Sequence, residues 1–302
     1  MKRINVKIIT SIFAILTILL TPCSAFANDN GALSEPTKGF IWEATNGDNS
    51  IYLVGTMHPA PKDINFFNNN INEIIKNTDG LATEVDLTDK ENIKELQDYM
   101  LNNIYLNNGE IRDFLTGDEE KILYNILIDH KLTYDDVKKL NSNGLILALN
   151  NQGCTLNGFT GPMFDLLLQQ KYKELNKEVV SLESIKEQMD AASCNMDSLK
   201  NYIDKYNRNS LDEEKKYENE LFNGYKNGDY SVGESAIKMQ QENKETYKKI
   251  LVDRNLKMAD KIENLSKSDK KYMVAVGYLH YFGEDSLLKL LEKKGYTIKP
   301  IN

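Results

Sequence analysis

YLVGTMHPAP, residues 52–61, is an apolar run closed by a glycine, with a histidine three positions further on. A short run rich in Ile, Leu, Val and Tyr, bounded by turn formers, has the composition of a buried strand. YMVAVGYLHYFG, residues 272–283, repeats the plan near the other terminus. The chain has only three histidines in 302 residues. Two of them, His58 and His280, therefore stand in G-x-x-H at the ends of strand-like segments.

Working outward from the first motif, FIWE (residues 40–43) reads as a strand, and NGDNS carries a turn signal before the next one. Beyond His58, the apolar residues Phe67, Ile71, Ile74 and Ile75 recur on one face of a helix, and Gly80 is the expected stop. LATEVDL, residues 81–87, is then a strand ending in acids. Strand, helix and strand make a βαβ unit with a parallel crossover. The second motif begins the same plan. YMVAV is a strand, GYLHYFG a loop, Leu287, Leu290 and Leu291 line a short helix, Gly295 caps it, and YTIKPI is a last strand. Between the two units, over about 88–270, helical periodicity dominates. Thr116 is the expected N-cap of one helix there, with acids in its first turn. EVVSLE, ending at Glu183, is the one strand expected in this region, and LDEEKKYENEL reads as a solvated helix face. The expected fold is α/β: a central, mostly parallel sheet built from N- and C-terminal βαβ-like units, with a large helical middle region forming a cleft wall.

The N-terminus belongs to a different class of sequence. Lys2, Arg3 and Lys7 precede the apolar run IITSIFAILTILL, and Ala25-Phe26-Ala27 forms a small-x-small pattern, the layout of a cleavable signal peptide. Residues 1–27 are read as that signal, with cleavage near Ala27–Asn28, and 28–302 as a single domain. The apolar run falls short of the roughly 20 residues that span a bilayer, so no stable membrane span is expected after cleavage. Removing residues 1–27 takes away three basic residues and no acid, moving the net charge from -8 to -11. So acidic a chain lacks the basic face of a nucleic-acid binder. In an exported protein the two remaining cysteines, Cys154 and Cys194, are expected to form a disulfide.

The chemistry gathers at strand ends, where α/β sheets place their functional groups. His58, His280 and Glu84 each close an expected strand, and Glu183 is a fourth candidate. Imidazoles and a carboxylate on one edge suit a divalent metal such as Zn, Mn or Co. The glycine before each histidine would let the backbone turn and leave room for metal, water or substrate. His130 is expected on the surface near a helix C-terminus. G-x-S-x-G, H-E-x-x-H, the phosphate-binding loop and G-x-G-x-x-G are all absent.

FIWEATNGDNSIYLVGTMH, the Glu84 strand, KEVVSLESIKEQ, YKNGDYS, DRNLKMADKI and the C-terminal VGYLHYFGEDSLLKLLEKKGYTIKPI resemble the successive motifs of the TraB/GumN family. That family is similar to the Tiki metalloproteases and, more distantly, to erythromycin-esterase-like proteins and haem-binding ChaN. The resemblance implies metal-site or catalytic roles for His58, Glu84 and His280. It matches Arg254 and Asn255 to the family's R-N pair, and Glu183 to its L-E. Tyr281 departs from the family's G-x-x-H-L-x-G, which implies altered packing beside the site.

Two functions follow as expectations. One is an exported, metal-dependent, peptidase-like hydrolase acting on a peptide or protein. In it the histidines hold the metal, Glu84 is ligand or general base, and Arg254 holds a substrate carboxylate or a developing oxyanion. The other is a non-catalytic protein that sequesters a peptide signal or a haem-like ligand.

Overall fold

The computed structural model of the protein describes residues 35–206 and 209–301. The expected signal peptide, its cleavage position and Cys23 lie outside the described residues. The strands are β1 Phe40–Asn46, β2 Asn49–Thr56, β3 Gly80–Thr83, β4 Glu178–Ser181, β5 Tyr272–Gly277 and β6 Thr297–Pro300. They form one sheet in the order β4-β3-β5-β2-β1-β6. β2 with β5, β5 with β3, and β3 with β4 pair parallel, while β1 runs antiparallel to both β2 and β6. The mostly parallel α/β sheet expected from sequence is therefore present, with β1 alone reversed.

That reversal is made by NGDNS. Gly47, at φ +60°, sits between the paired Asn46 and Asn49 in a conformation that glycine adopts without Cβ strain. Both βαβ units form, but they interleave. β2 and β3, joined through the helix Asn69–Asn77, are parallel with β5 between them. β5 and β6, joined through the helix Leu287–Lys293, point the same way with β2 and β1 between them. β5 is thus the innermost apolar strand, and Met273, Val274, Ala275 and Val276 have no exposed surface. Its unbroken apolar run is what a strand covered on both faces requires.

Gly80 does not cap the first helix. Asn68 opens that helix by accepting from Ile71 N–H at 2.9 Å, and Thr78 closes it by donating its hydroxyl to Ile74 O at 2.8 Å. Gly80 instead starts β3, where a Cβ would run into the Tyr272 ring of the neighbouring strand.

The described residues fall into two compact units. One, of residues 35–93, 161–191 and 220–301, holds the sheet. The other, of residues 94–160 and 192–219, is helical. In the helical unit Thr116 caps Gly117–Asp129 as expected, reciprocally with Glu119.

Three expectations fail in the helical unit. His130 occupies the expected helix C-cap but is 1% exposed, with Nδ1 2.8 Å from Ile126 O. The lysine- and glutamate-rich helix is not solvated all round. Glu214, Tyr217 and Glu218 are buried, and their i, i+3, i+4 spacing draws one inward stripe. No disulfide joins Cys154 and Cys194. The Cys154 thiol donates to Glu218 Oε1 at 3.5 Å. Burial, followed by that carboxylate, raises its pKa well above the ordinary thiol range, which disfavours the thiolate that disulfide chemistry needs.

Candidate functional site

Three neighbouring parallel strands end side by side. Thr56 of β2 pairs with Gly277 of β5, and Thr83 of β3 pairs with Ala275 of β5. The residues leaving these ends are His58, His280 and Glu84. The structure thus brings together the three groups that the two motifs and the acidic strand suggested, at the carboxyl edge where α/β sheets bind ligands.

The two glycines work by closeness, since neither lies in the left-handed region. A Cβ on Gly55 would stand 2.7 Å from Tyr278 Cβ and 3.0 Å from Tyr278 Cα, so the first motif makes room for the backbone of the second. Gly277 donates its N–H to Glu84 Oε1 at 2.8 Å, and a Cβ there would sit 3.3 Å from that oxygen. The residues after Gly277 form a short 3-10 turn, Tyr278–Tyr281, which carries His280 inward. Tyr281, in place of the leucine, packs its ring 5.0 Å from Trp42 and donates its hydroxyl to Val274 O at 3.3 Å.

His280 is 5% exposed. Its Nδ1 is 2.6 Å from Asn255 Oδ1, while Asn255 Nδ2 donates to Asp285 O at 2.8 Å. The amide is thereby oriented with its oxygen toward the ring, so Nδ1 carries the proton and Nε2 keeps its lone pair. Burial and the Arg254 charge pull the His280 pKa down to about 3 against the pull of Glu84. A neutral imidazole with a fixed tautomer is the form that binds metal. His280 Nε2 faces Glu84 Oε1 at 3.8 Å. His58 acts electrostatically on both Glu84 and His280, and its buried Nδ1 has no hydrogen-bond partner.

Glu84 is held on every side. Its Oε2 accepts from Arg254 Nη2 and from Gln188 Nε2, both at 2.7 Å. Burial opposes its ionisation, but Arg254, His280 and the Gly277 N–H outweigh burial and hold the carboxyl well below the usual range. Glu183, the other acid named from sequence, faces the same arginine. Arg254 Nε donates to Glu183 Oε1 at 2.9 Å, and Nη2 to Glu183 Oε2 at 2.6 Å. Nη1 turns back to Ile250 O at 3.2 Å. Ile250 lies in one turn of π-helix, Lys248–Val252, directly before the helix Asp253–Ser266 that carries Arg254 and Asn255. Such a turn often marks a functional position in a helix.

Three residues beside the site were not singled out from sequence. Gln188, on the helix Ile185–Ala192, binds Glu84. Gln169 accepts from Leu87 N–H at 2.8 Å and donates to Val85 O at 3.0 Å, fixing the segment that leaves β3. Asp165, near the start of the helix Phe164–Glu174, is 9% exposed, and its Oδ1 has no hydrogen-bond partner. Burial raises its pKa, His58 lowers it, and Glu84 raises it again. Position in the helix was the available signal: Asp165, Leu168, Gln169 and Tyr172 share the buried stripe.

The donor types fit a divalent cation. They comprise a neutral histidine with a free Nε2, a second histidine with an unpartnered nitrogen, and an ionised carboxylate. Among the described residues no three His, Cys, Asp or Glu side chains form a group that could hold a metal ion as they stand.

A family model described as the TraB/PrgY/gumN family matches residues 40–300. The match covers nearly all the described residues, and the chain belongs to this family. No curated protein and no solved structure gives a match.

Proposed function

We propose that this member of the TraB/PrgY/gumN family is an exported, metal-dependent, peptidase-like hydrolase. The observation that carries the proposal is the meeting of His58, His280 and Glu84 at three adjacent strand ends, with the free nitrogen of His280 turned toward Glu84 at 3.8 Å. Export rests on the sequence of residues 1–27, and a peptide or protein substrate rests on the resemblance to Tiki-type proteins.

A divalent cation held here would polarise a scissile carbonyl and acidify a water. His58 and His280 would be its nitrogen donors. Asn255 presents the His280 lone pair, and Gln188 and Arg254 fix one oxygen of Glu84 while the other faces His280. That second oxygen is the atom available to bind a cation or take a proton. Arg254 is committed to two carboxylates and a carbonyl. In this arrangement it orients Glu84, and Glu183 orients Arg254, so both are positioning residues more than substrate contacts.

The test is metal content and peptide-library turnover of the secreted protein beside His58→Ala and His280→Ala. Both variants should lose metal and activity together while keeping their secondary structure. Retention of both by both variants would sink the proposal. Metal binding by the parent with no turnover of any peptide would favour the sequestering function. An intact mass that still includes residues 1–27 would remove the export part.

A further inference from the structure

Two buried polar atoms in the sheet unit share the neighbourhood of Glu84 and lack a hydrogen bond: His58 Nδ1 and Asp165 Oδ1. An acid near a helix start ordinarily serves the helix dipole from the solvent side. Asp165 is buried instead, on the stripe with Leu168 and Gln169, with the backbone N–H groups of Leu166 and of Asp165 itself favouring its ionised form while Oδ1 stays unpartnered. A buried carboxylate oxygen left unpaired costs free energy that a helix dipole of modest strength does not offset. Glu84 Oε2 and both oxygens of Glu183, by contrast, are bound by Arg254.

We infer that Asp165 is a ligand of the same divalent cation, its Oδ1 completing a set with His58, His280 and Glu84. The inference rests on the proposed metal site and replaces Glu183 by Asp165 as the second carboxylate. Charge favours it. Glu84 and Glu183 share one guanidinium, and Asp165 adds a third carboxyl group that interacts electrostatically with Glu84 and His58, an excess of acid that a divalent ion would offset. Chemistry favours it too. Glu183 has both oxygens on Arg254, so ligation by Glu183 would require breaking that pair, whereas Asp165 Oδ1 has no bond to break.

The experiment is equilibrium titration of the metal-stripped mature protein with Co(II), read by visible absorption. The parent is compared with Asp165→Asn, Glu183→Gln and His280→Ala, with melting in chelator as the check on folding. Asp165→Asn should bind cobalt about tenfold or more weakly and change the d–d spectrum. In chelator it should melt no lower than the parent, because the amide removes a buried unpaired charge. Parent affinity and spectrum in Asp165→Asn overturn the inference. If His280→Ala loses cobalt while Asp165→Asn does not, only the Asp165 assignment falls. If the parent itself takes up no cobalt, the metal site falls and this inference with it. Should Asp165→Asn fail to fold, Asp165→Glu decides. Intermediate affinity with a shifted spectrum upholds the assignment, and parent behaviour overturns it.

Discussion

Asn255 holds His280 by its proton: the amide oxygen lies 2.6 Å from Nδ1, and the amide nitrogen is anchored on Asp285 O. One consequence can be measured directly. Asn255→Ala should release the tautomer and the ring orientation together, weakening metal binding by about 10- to 100-fold. Isothermal titration of stripped protein reads the change. Unaltered affinity would show that His280 is oriented by packing alone.

Arg254 is the only cation bonded to Glu84 and Glu183 among the described salt bridges, and both pairs are largely buried. Arg254→Met should cost about 3–5 kcal/mol, because it strands two carboxylates in a dry setting. Arg254→Lys should recover only part, since an ammonium cannot reproduce the forked contact with both acids. Urea denaturation near neutral pH measures the loss. A lysine variant as stable as the parent would contradict this geometry.

Gly55 was expected to loosen a turn, and it turns out to permit contact with Tyr278. Gly55→Ala should destabilise by about 1–3 kcal/mol through overpacking, with the resting place of His280 disturbed as well. Gly47→Ala, where nothing lies within 4 Å of the added Cβ but φ is +60°, should cost less, about 1 kcal/mol, and leave the site intact. Equal losses in stability and in metal affinity for the two variants would refute the close-approach reading.

Glu214, buried beside Glu218, has its pKa raised from 4.5 to about 8, first by burial and then by its neighbour's charge. The folded state therefore holds this proton more tightly than the unfolded chain. The resulting stability is complete below about pH 4.5, drains away as pH climbs, and is gone above about pH 8. Tyr202 and His130 lie close by, so the clean measurement is a difference between variants. Glu214→Gln should gain stability relative to the parent between about pH 5 and pH 9, at about 1.4 kcal/mol per unit of pKa difference. A difference independent of pH would show that Glu214 titrates normally.

His130→Ala is not an inert control for the proposed metal site. Its ring is buried, with burial pulling its pKa down against the Ile126 carbonyl, so the substitution opens a cavity. Metal content should stay at the parent level while stability drops by about 2–4 kcal/mol. Loss of metal would tie the helical unit to the site.

Much of this was legible because the signals were local. The apolar runs of β2 and β5 and the Thr116 cap each depend on neighbours within a few residues. Placing a histidine three residues after each strand glycine was enough to find two sides of the site. What sequence could not supply was pairing. Nothing in LATEV or EVVSLE says that Glu84 and Glu183 will share Arg254. The burial of Glu214 and Glu218 was hidden by counting charges where periodicity needed counting. Asp165 was hidden for a related reason, since a single acid in FDLLLQQ looks like an ordinary first-turn residue until its face of the helix is known. The disulfide failed for a third reason. Compartment and parity suggest a bridge, but only the fold shows the Cys154 thiol engaged by Glu218.

The strand order has a bearing on when the proposed activity could begin. β5 is made last but one and must insert between β2 and β3, strands synthesised far earlier. Contacts that span nearly a whole chain form slowly. A polypeptide threaded through a membrane from its N-terminus would present its first histidine and its glutamate well before the strand that brings the second histidine beside them. A chain exported in that way would be chemically silent throughout its passage, its proposed centre assembled only once almost all of it had emerged.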